Sequence, residues 1–293
     1  MTPALAACVP LTAGLVYALS ALYIKQATVE GGGLWRVNFL INWGQAVFMA
    51  PLLLLGHGPL DPIALWHILL TSLLFFAGQV SVFVALRFGD VSIVTPVMGL
   101  KVVMVAAMVT AFAHEKLPPI WWVAAAISTA ATFLLGSGKR SANGSLLPAL
   151  LGGAIAAAAF SGVDVCFQMW ADRMGVWRFS ACVCIAMGLW SLALLPFLEG
   201  PWWRLPKSAQ RAFWPGLAAT IGQIVLMAYC VVQLKGAAWS NLLYSSRGVW
   251  SIVLVWFAGP AFGNSERDAG ADAMVRRLAG AVLMLAAIAL VLK

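Results

Sequence analysis

Apolar runs of about 18 to 24 residues, separated by short segments rich in Gly, Pro and charge, recur along the chain from end to end. A helix rises about 1.5 Å per residue and the hydrocarbon core of a bilayer is roughly 30 Å thick, so each run is long enough to cross. Their boundaries predict about ten transmembrane helices. These cover 9–28, 35–55, 63–86, 91–113, 119–136, 146–170, 177–198, 212–233, 237–262 and 276–292. The connections are short, which predicts an all-α integral membrane protein with little soluble mass.

Two of these runs carry a basic residue near the middle, Lys101 in 91–113 and Arg247 in 237–262. Lys101 lies too far from either end for its stem to reach water, and a charge at that depth costs at least a few kcal/mol unless it faces partners or a wet cavity. The pattern therefore places both inside the bundle.

Composition agrees with the pattern: 62% of the 293 residues are hydrophobic and 10% charged. The formal charge of +8 is spread singly and in pairs between apolar runs rather than along one basic face, which points to topology signals and lipid contact, not nucleic acid. Five cysteines and three histidines (His57, His67, His114) are scattered without metal-ligand spacing, so neither a disulfide framework nor a metal or cofactor site is expected. The N-terminal run has no basic segment before it and reads as a retained first span.

The polar, glycine-rich stretch 136–145 divides the chain, and the two sides align. Gly33-Leu-Trp-Arg36 opens the second run and Gly175-Val-Trp-Arg178 the seventh; Gly78-Gln79 matches Gly222-Gln223, and Lys101 falls opposite Arg247. The predicted organisation is a first five-helix repeat over 1–138, a linker at 139–145 and a second repeat over 146–293. Five is odd, so the second repeat enters the membrane from the opposite side. Such inverted-topology repeats place a binding site at mid-membrane between the halves.

With its two five-helix repeats, Ala85-Leu86 followed by Val91-Ser-Ile-Val-Thr-Pro96 between the third and fourth runs, and His114-Glu115-Lys116-Leu117 closing the fourth, the chain resembles EamA-type members of the drug/metabolite transporter superfamily. It departs from them at His114, where the family motif has Gly, and in the displaced Asn264-Ser-Glu266 of the second half. The resemblance implies a small-solute carrier working by alternating access in the cell (inner) membrane, and leaves the solute unnamed. The sugar-phosphate branch of the superfamily uses basic residues on the corresponding helices.

Helical spacing sorts the remaining intramembrane polar residues into stripes. Asn38, Asn42 and Gln45 share one face, Ser161, Asp164 and Gln168 another, and Ser240, Tyr244, Arg247 and Ser251 a third. Together with Lys101, Gln79, Gln223 and Tyr17 they form a candidate substrate lining; helix-to-helix hydrogen bonding, worth about 0.6 to 2 kcal/mol per contact, is the competing role for any one amide or hydroxyl. Asp164 is the one acidic residue well inside a run, and is a candidate counter-ion or proton-coupling carboxylate. One carboxylate against two cations leaves a net positive cavity, which favours an organic phosphate, a carboxylate or an amino acid. Pro96 is a candidate hinge in the fourth helix.

An exporter of amines or cationic drugs would need a dominant intramembrane carboxylate, and an intramembrane enzyme would need motifs such as HExxH or GxSxG, which the sequence lacks. A scaffold would not need midplane charge. Small-residue runs at 154–159 and 279–289 are candidates for packing between repeats or for a homodimer face. Lys and Arg concentrate in the odd-numbered loops, which would put those loops in the cytoplasm and both termini outside; the family resemblance implies cytoplasmic termini instead.

Overall fold

A computed structural model describes residues 3–88, 94, 97–135, 146–234, 236–258 and 271–292. Helices follow the apolar runs because a lipid-facing backbone has no water to bond and must satisfy its own N–H and C=O groups. They are α1 (Pro3–Ala27), α2 (Leu34–Met49), α3 (Pro62–Phe88), α4 (Lys101–Phe112), α5 (Pro119–Leu135), α6 (Leu146–Trp170), α7 (Val176–Trp190), α8 (Lys207–Gln233), α9 (Gly236–Tyr244), α10 (Arg247–Ala258) and α11 (Ala271–Leu292). Short 3₁₀ segments extend α2 over Ala50–Leu55 and α7 over Ser191–Phe197.

Seven of these stretches are long and apolar enough to cross a membrane: Leu5–Gly32, Leu34–Leu55, Pro62–Ala85, Leu147–Arg173, Val176–Phe197, Lys207–Gln233 and Val275–Leu292. Lys101–Phe112 and Pro119–Leu135 are shorter apolar helices. The ninth run is divided into α9 and α10 by a turn at Ser245 and Ser246. Pro96 and the linker 139–145 lie outside the described residues.

Small side chains fill the inward faces, including Ala13 and Ala18 on α1, Ala124, Ala125, Ser128 and Ala131 on α5, and Ala149, Ala156 and Ala157 on α6, while Leu65, Trp66, Leu69 and Leu73 of α3 are exposed. That is how a bundle in lipid packs, since close backbone approach replaces the hydrophobic drive that water would supply. The most extensive packing joins α1 to α8, α3 to α6, α5 to α11 and α2 to α7.

The glycines that open α2 and α7 have nearly the same backbone: Gly33 at φ 76°, ψ 146° and Gly175 at φ 85°, ψ 138°. A side chain is strained at these angles, so each turn selects glycine. Three residues on, each arginine reaches the segment beyond the other helix, and Arg36 also holds the turn before its own. Arg36 Nε donates to Gly32 O (2.6 Å) and Nη1 to Arg204 O beyond α7, while Arg178 donates to Leu53 O (3.0 Å) and Gly58 O (3.1 Å) beyond α2. The Glu199 carboxylate accepts the N–H groups of Trp35 (3.0 Å) and Arg36 (3.1 Å), capping α2. The two helices therefore run antiparallel, each pinned by the other's connecting segment.

Candidate functional site at the two helix breaks

Each basic residue is the first residue of a twelve-residue helix, Lys101 of α4 and Arg247 of α10. The turns before them are tightened in the same way, Leu100 N–H donating to Val97 O (3.0 Å) and Ser246 N–H to Leu243 O (3.1 Å). These are i to i−3 bonds, the tighter geometry found at helix ends. Adjacent residues of α5 brace both turns: Thr129 Oγ1 donates to Gly99 O (3.2 Å), and Ser128 Oγ donates to Ser245 Oγ (2.8 Å). The second turn is also approached by α1, where a Cβ on Gly14 would stand 3.1 Å from Arg247 N and 3.2 Å from Tyr244 O. Only glycine allows that approach.

Lys101 is buried, and its Nζ lies 2.7 Å from Asp164 Oδ2 on α6. The same carboxylate oxygen accepts from Asn241 Nδ2 of α9 at 2.8 Å, and Ser161 Oγ, one turn earlier on α6, donates to Lys101 O at 3.2 Å. The low dielectric makes such a pair strong once formed, and makes either member costly if left alone. Asp164 thus ties α4 and α9 to α6.

Arg247 is held differently. Its guanidinium carbon lies 4.8 Å from the centre of the Tyr17 ring and 5.0 Å from that of Tyr244, and the rings meet edge to face at 5.8 Å. No carboxylate of the described residues lies within 4 Å of it. Ring faces attract a cation with about 0.5 to 2 kcal/mol each, which steadies the guanidinium without neutralising it. Lys101 Nζ also stands 5.8 Å from the Tyr244 ring centre, so that ring links the two cations. Tyr244 is buried (4% exposed), while Tyr17 on α1 keeps 38% of its surface exposed.

Of the residues singled out by sequence, Lys101, Asp164, Tyr17, Tyr244 and Arg247 come together here. Asn42 and Gln79 form a separate pair, with Asn42 Nδ2 3.2 Å from Gln79 Oε1 and 3.0 Å from Asn38 Oδ1. Gln223 is half-buried on α8 and makes no hydrogen bond with the described residues. Gln168 belongs to another junction: its Nε2 donates to Glu115 Oε2 (2.7 Å), and its Oε1 accepts from Ala237 N–H (2.6 Å), closing the start of α9. The Ser240 and Ser251 hydroxyls bond backbone carbonyls one turn back, at Gly236 and Arg247. Asn241 is the contributor that sequence spacing misses; its one cue is a lone amide within an apolar run, three residues before Tyr244.

The model of the EamA-like transporter family matches residues 4–137. This part of the chain is similar to the EamA-like transporter family. That family, within the drug/metabolite transporter superfamily, comprises membrane transporters of small molecules. With its several spanning-length helices, the chain is a multi-pass membrane protein. A solved crystal structure of another protein superposes on 98% of this chain and 96% of its own, with a TM-score of 0.70 at 20% identity, which shows a shared fold. Comparison with curated protein sequences finds no match.

Proposed function

We propose that this EamA-like protein is a secondary transporter of a small anionic or zwitterionic metabolite, an organic phosphate, carboxylate or amino acid, whose negative group is held by Arg247. The observation that carries this reading is the unequal treatment of the two midplane cations: Asp164 neutralises Lys101, while Arg247 rests on two tyrosine faces beside the exposed edge of Tyr17. A planar guanidinium matches carboxylate and phosphate with two parallel hydrogen bonds.

Two inverted five-helix repeats, 1–138 and 146–293, rocking around this cluster, would give alternating access. Reciprocal packing supports that arrangement: exchanging the helices of one repeat for those of the other turns the α1/α8 pair into α6/α3 and maps α2/α7 and α5/α11 onto themselves. In this reading Asp164 is the counter-ion of Lys101, and the residue through which a coupling proton would act. A cationic-drug exporter fits less well, because Asp164 is already occupied by Lys101 and Asn241.

Thermal unfolding of the purified protein in detergent tests the reading against matched phosphorylated, carboxylate, zwitterionic and cationic solutes. The expected result is stabilisation by anions or zwitterions that Arg247→Gln removes. Stabilisation by cations alone, lost in Asp164→Asn and kept in Arg247→Gln, would replace it with the exporter.

A further inference from the structure

Why Arg247 lacks the counter-ion that Lys101 has can be traced to one position on α1. Gly78 of α3 faces Phe160 of α6, where a Cβ would stand 2.9 Å from the ring; Gly222 of α8 faces Val16 of α1, with the corresponding distance 3.8 Å. Gly78 and Gly222 are repeat counterparts, so Phe160 and Val16 are counterparts too. One residue further on, Ser161 touches the backbone of Lys101 and Tyr17 lies under Arg247. Four residues on from Phe160 is Asp164; four on from Val16 is Ser20. The residue in the place of the Lys101 counter-ion is therefore a serine. Ser20 is buried, and its hydroxyl is engaged with Thr220 Oγ1 (2.6 Å) and Gly216 O (3.2 Å) of α8.

We propose that Ser20 is the specificity-determining position of this transporter. Because it supplies no charge where the other half supplies Asp164, the substrate brings a single anionic group to Arg247 on the α1 side, beside Tyr17 and Ser20. This rests on the anion-transport reading and on the repeat relation between the halves. The substrate class it names is a solute with one carboxylate or phosphate group at that end. Ser20 and Tyr17 are three residues apart on α1 and share a face, so a carboxylate at position 20 would stand one turn from the ring that carries the guanidinium.

The test replaces the missing charge. Ser20→Asp and Ser20→Asn are compared in detergent, alone and combined with Arg247→Gln. Two readouts are taken: the melting temperature without solute, and the apparent affinity for L-lactate, glycerol 3-phosphate and L-alanine, with ethanolamine as the cationic control. Ser20→Asp should weaken the response to whichever anion or zwitterion stabilises the natural protein by roughly tenfold or more, because the new carboxylate competes for Arg247, and Ser20→Asn should weaken it much less. Without solute, Ser20→Asp should melt substantially lower when Arg247 is Gln than when Arg247 is present, since a carboxylate alone at that depth is costly. Ser20→Asp with Asp164→Ser moves the counter-ion to the other half, and the remaining anion response should then be lost in Lys101→Gln. Equal responses in Ser20→Asp and Ser20→Asn, or melting effects of Ser20→Asp and Arg247→Gln that simply add, would overturn the proposal. If no probe stabilises the natural protein but the two substitutions are coupled in melting, the anion-transport reading fails while the assignment of position 20 as the counter-ion site stands.

Discussion

Lys101 and Arg247 occupy corresponding places, each opening a twelve-residue helix after a tightened turn, yet their surroundings differ in kind. Lys101 ends on a carboxylate that also binds Asn241, while Arg247 lies over two aromatic rings. The first arrangement is complete in charge and nearly closed; the second is steadied by ring faces and has no carboxylate within 4 Å among the described residues. Two cations at similar helix starts thus acquire different surroundings from what stands one helix away.

The largest effect that would break this contrast is loss of Arg247. Arg247→Gln should reduce the affinity for a stabilising anion by about 100-fold, the scale of a charge-assisted bidentate contact of about 2 to 3 kcal/mol, while Lys101→Gln acts chiefly on stability. Ligand titrations followed by thermal unfolding check both. On stability rather than affinity, the largest effect is that of Asp164→Asn, which strands Lys101 and should destabilise the protein by about 3 to 5 kcal/mol; combining it with Lys101→Met should recover most of that loss. The single and double variants compared in detergent unfolding measure the coupling.

Tyr17→Leu sharpens the contrast on the Arg247 side alone. Removing one ring face should cost about 0.5 to 2 kcal/mol of the organisation of the guanidinium, read as a severalfold weaker anion response with little change in Lys101-dependent stability. The smallest effect lies at the surface. Asp61 caps α3 by accepting the Ala64 N–H (2.8 Å) and pairs with Arg173; these donors, the Ala64 N–H first, hold its carboxyl below the usual carboxylate range despite some desolvation. A lowered folded value means that the contribution to stability is present above the unfolded value and is lost as pH falls through the folded one. Melting temperature should therefore decline modestly in acid below the ordinary carboxylate range, and Asp61→Asn should remove that part of the decline.

Much of the frame was legible because a bilayer constrains sequence so strongly: the apolar runs located the helices, although among the described residues seven rather than ten are long and apolar enough to cross, and the paired Gly-Leu-Trp-Arg and Gly-Val-Trp-Arg openings correspond to turns with nearly the same backbone angles. The same alignment set Lys101 opposite Arg247, and each opens a twelve-residue helix after a tightened turn. The division of the ninth run was not legible, since the polar Tyr244-Ser-Ser-Arg-Gly248 reads equally as one face of an unbroken helix, and the turn is braced from Ser128 on another helix. Helical spacing also gives a face but not a depth or a neighbour. Gln168 shares the stripe of Asp164, yet lies one turn away, where Glu115 and the Ala237 N–H claim its amide. Asn241 was missed for the converse reason, since its role comes from a carboxylate on α6 that no local pattern reveals.

The most direct test of the central claim is counterflow in proteoliposomes of the anion that best stabilises the natural protein, comparing Arg247→Gln with the paired Lys101→Gln, Asp164→Asn variant. The account predicts that Arg247→Gln loses exchange while the charge-balanced pair variant keeps a clearly larger share of it. Exchange that survives Arg247→Gln and disappears with the pair would contradict it, and would move the substrate to Lys101 and Asp164.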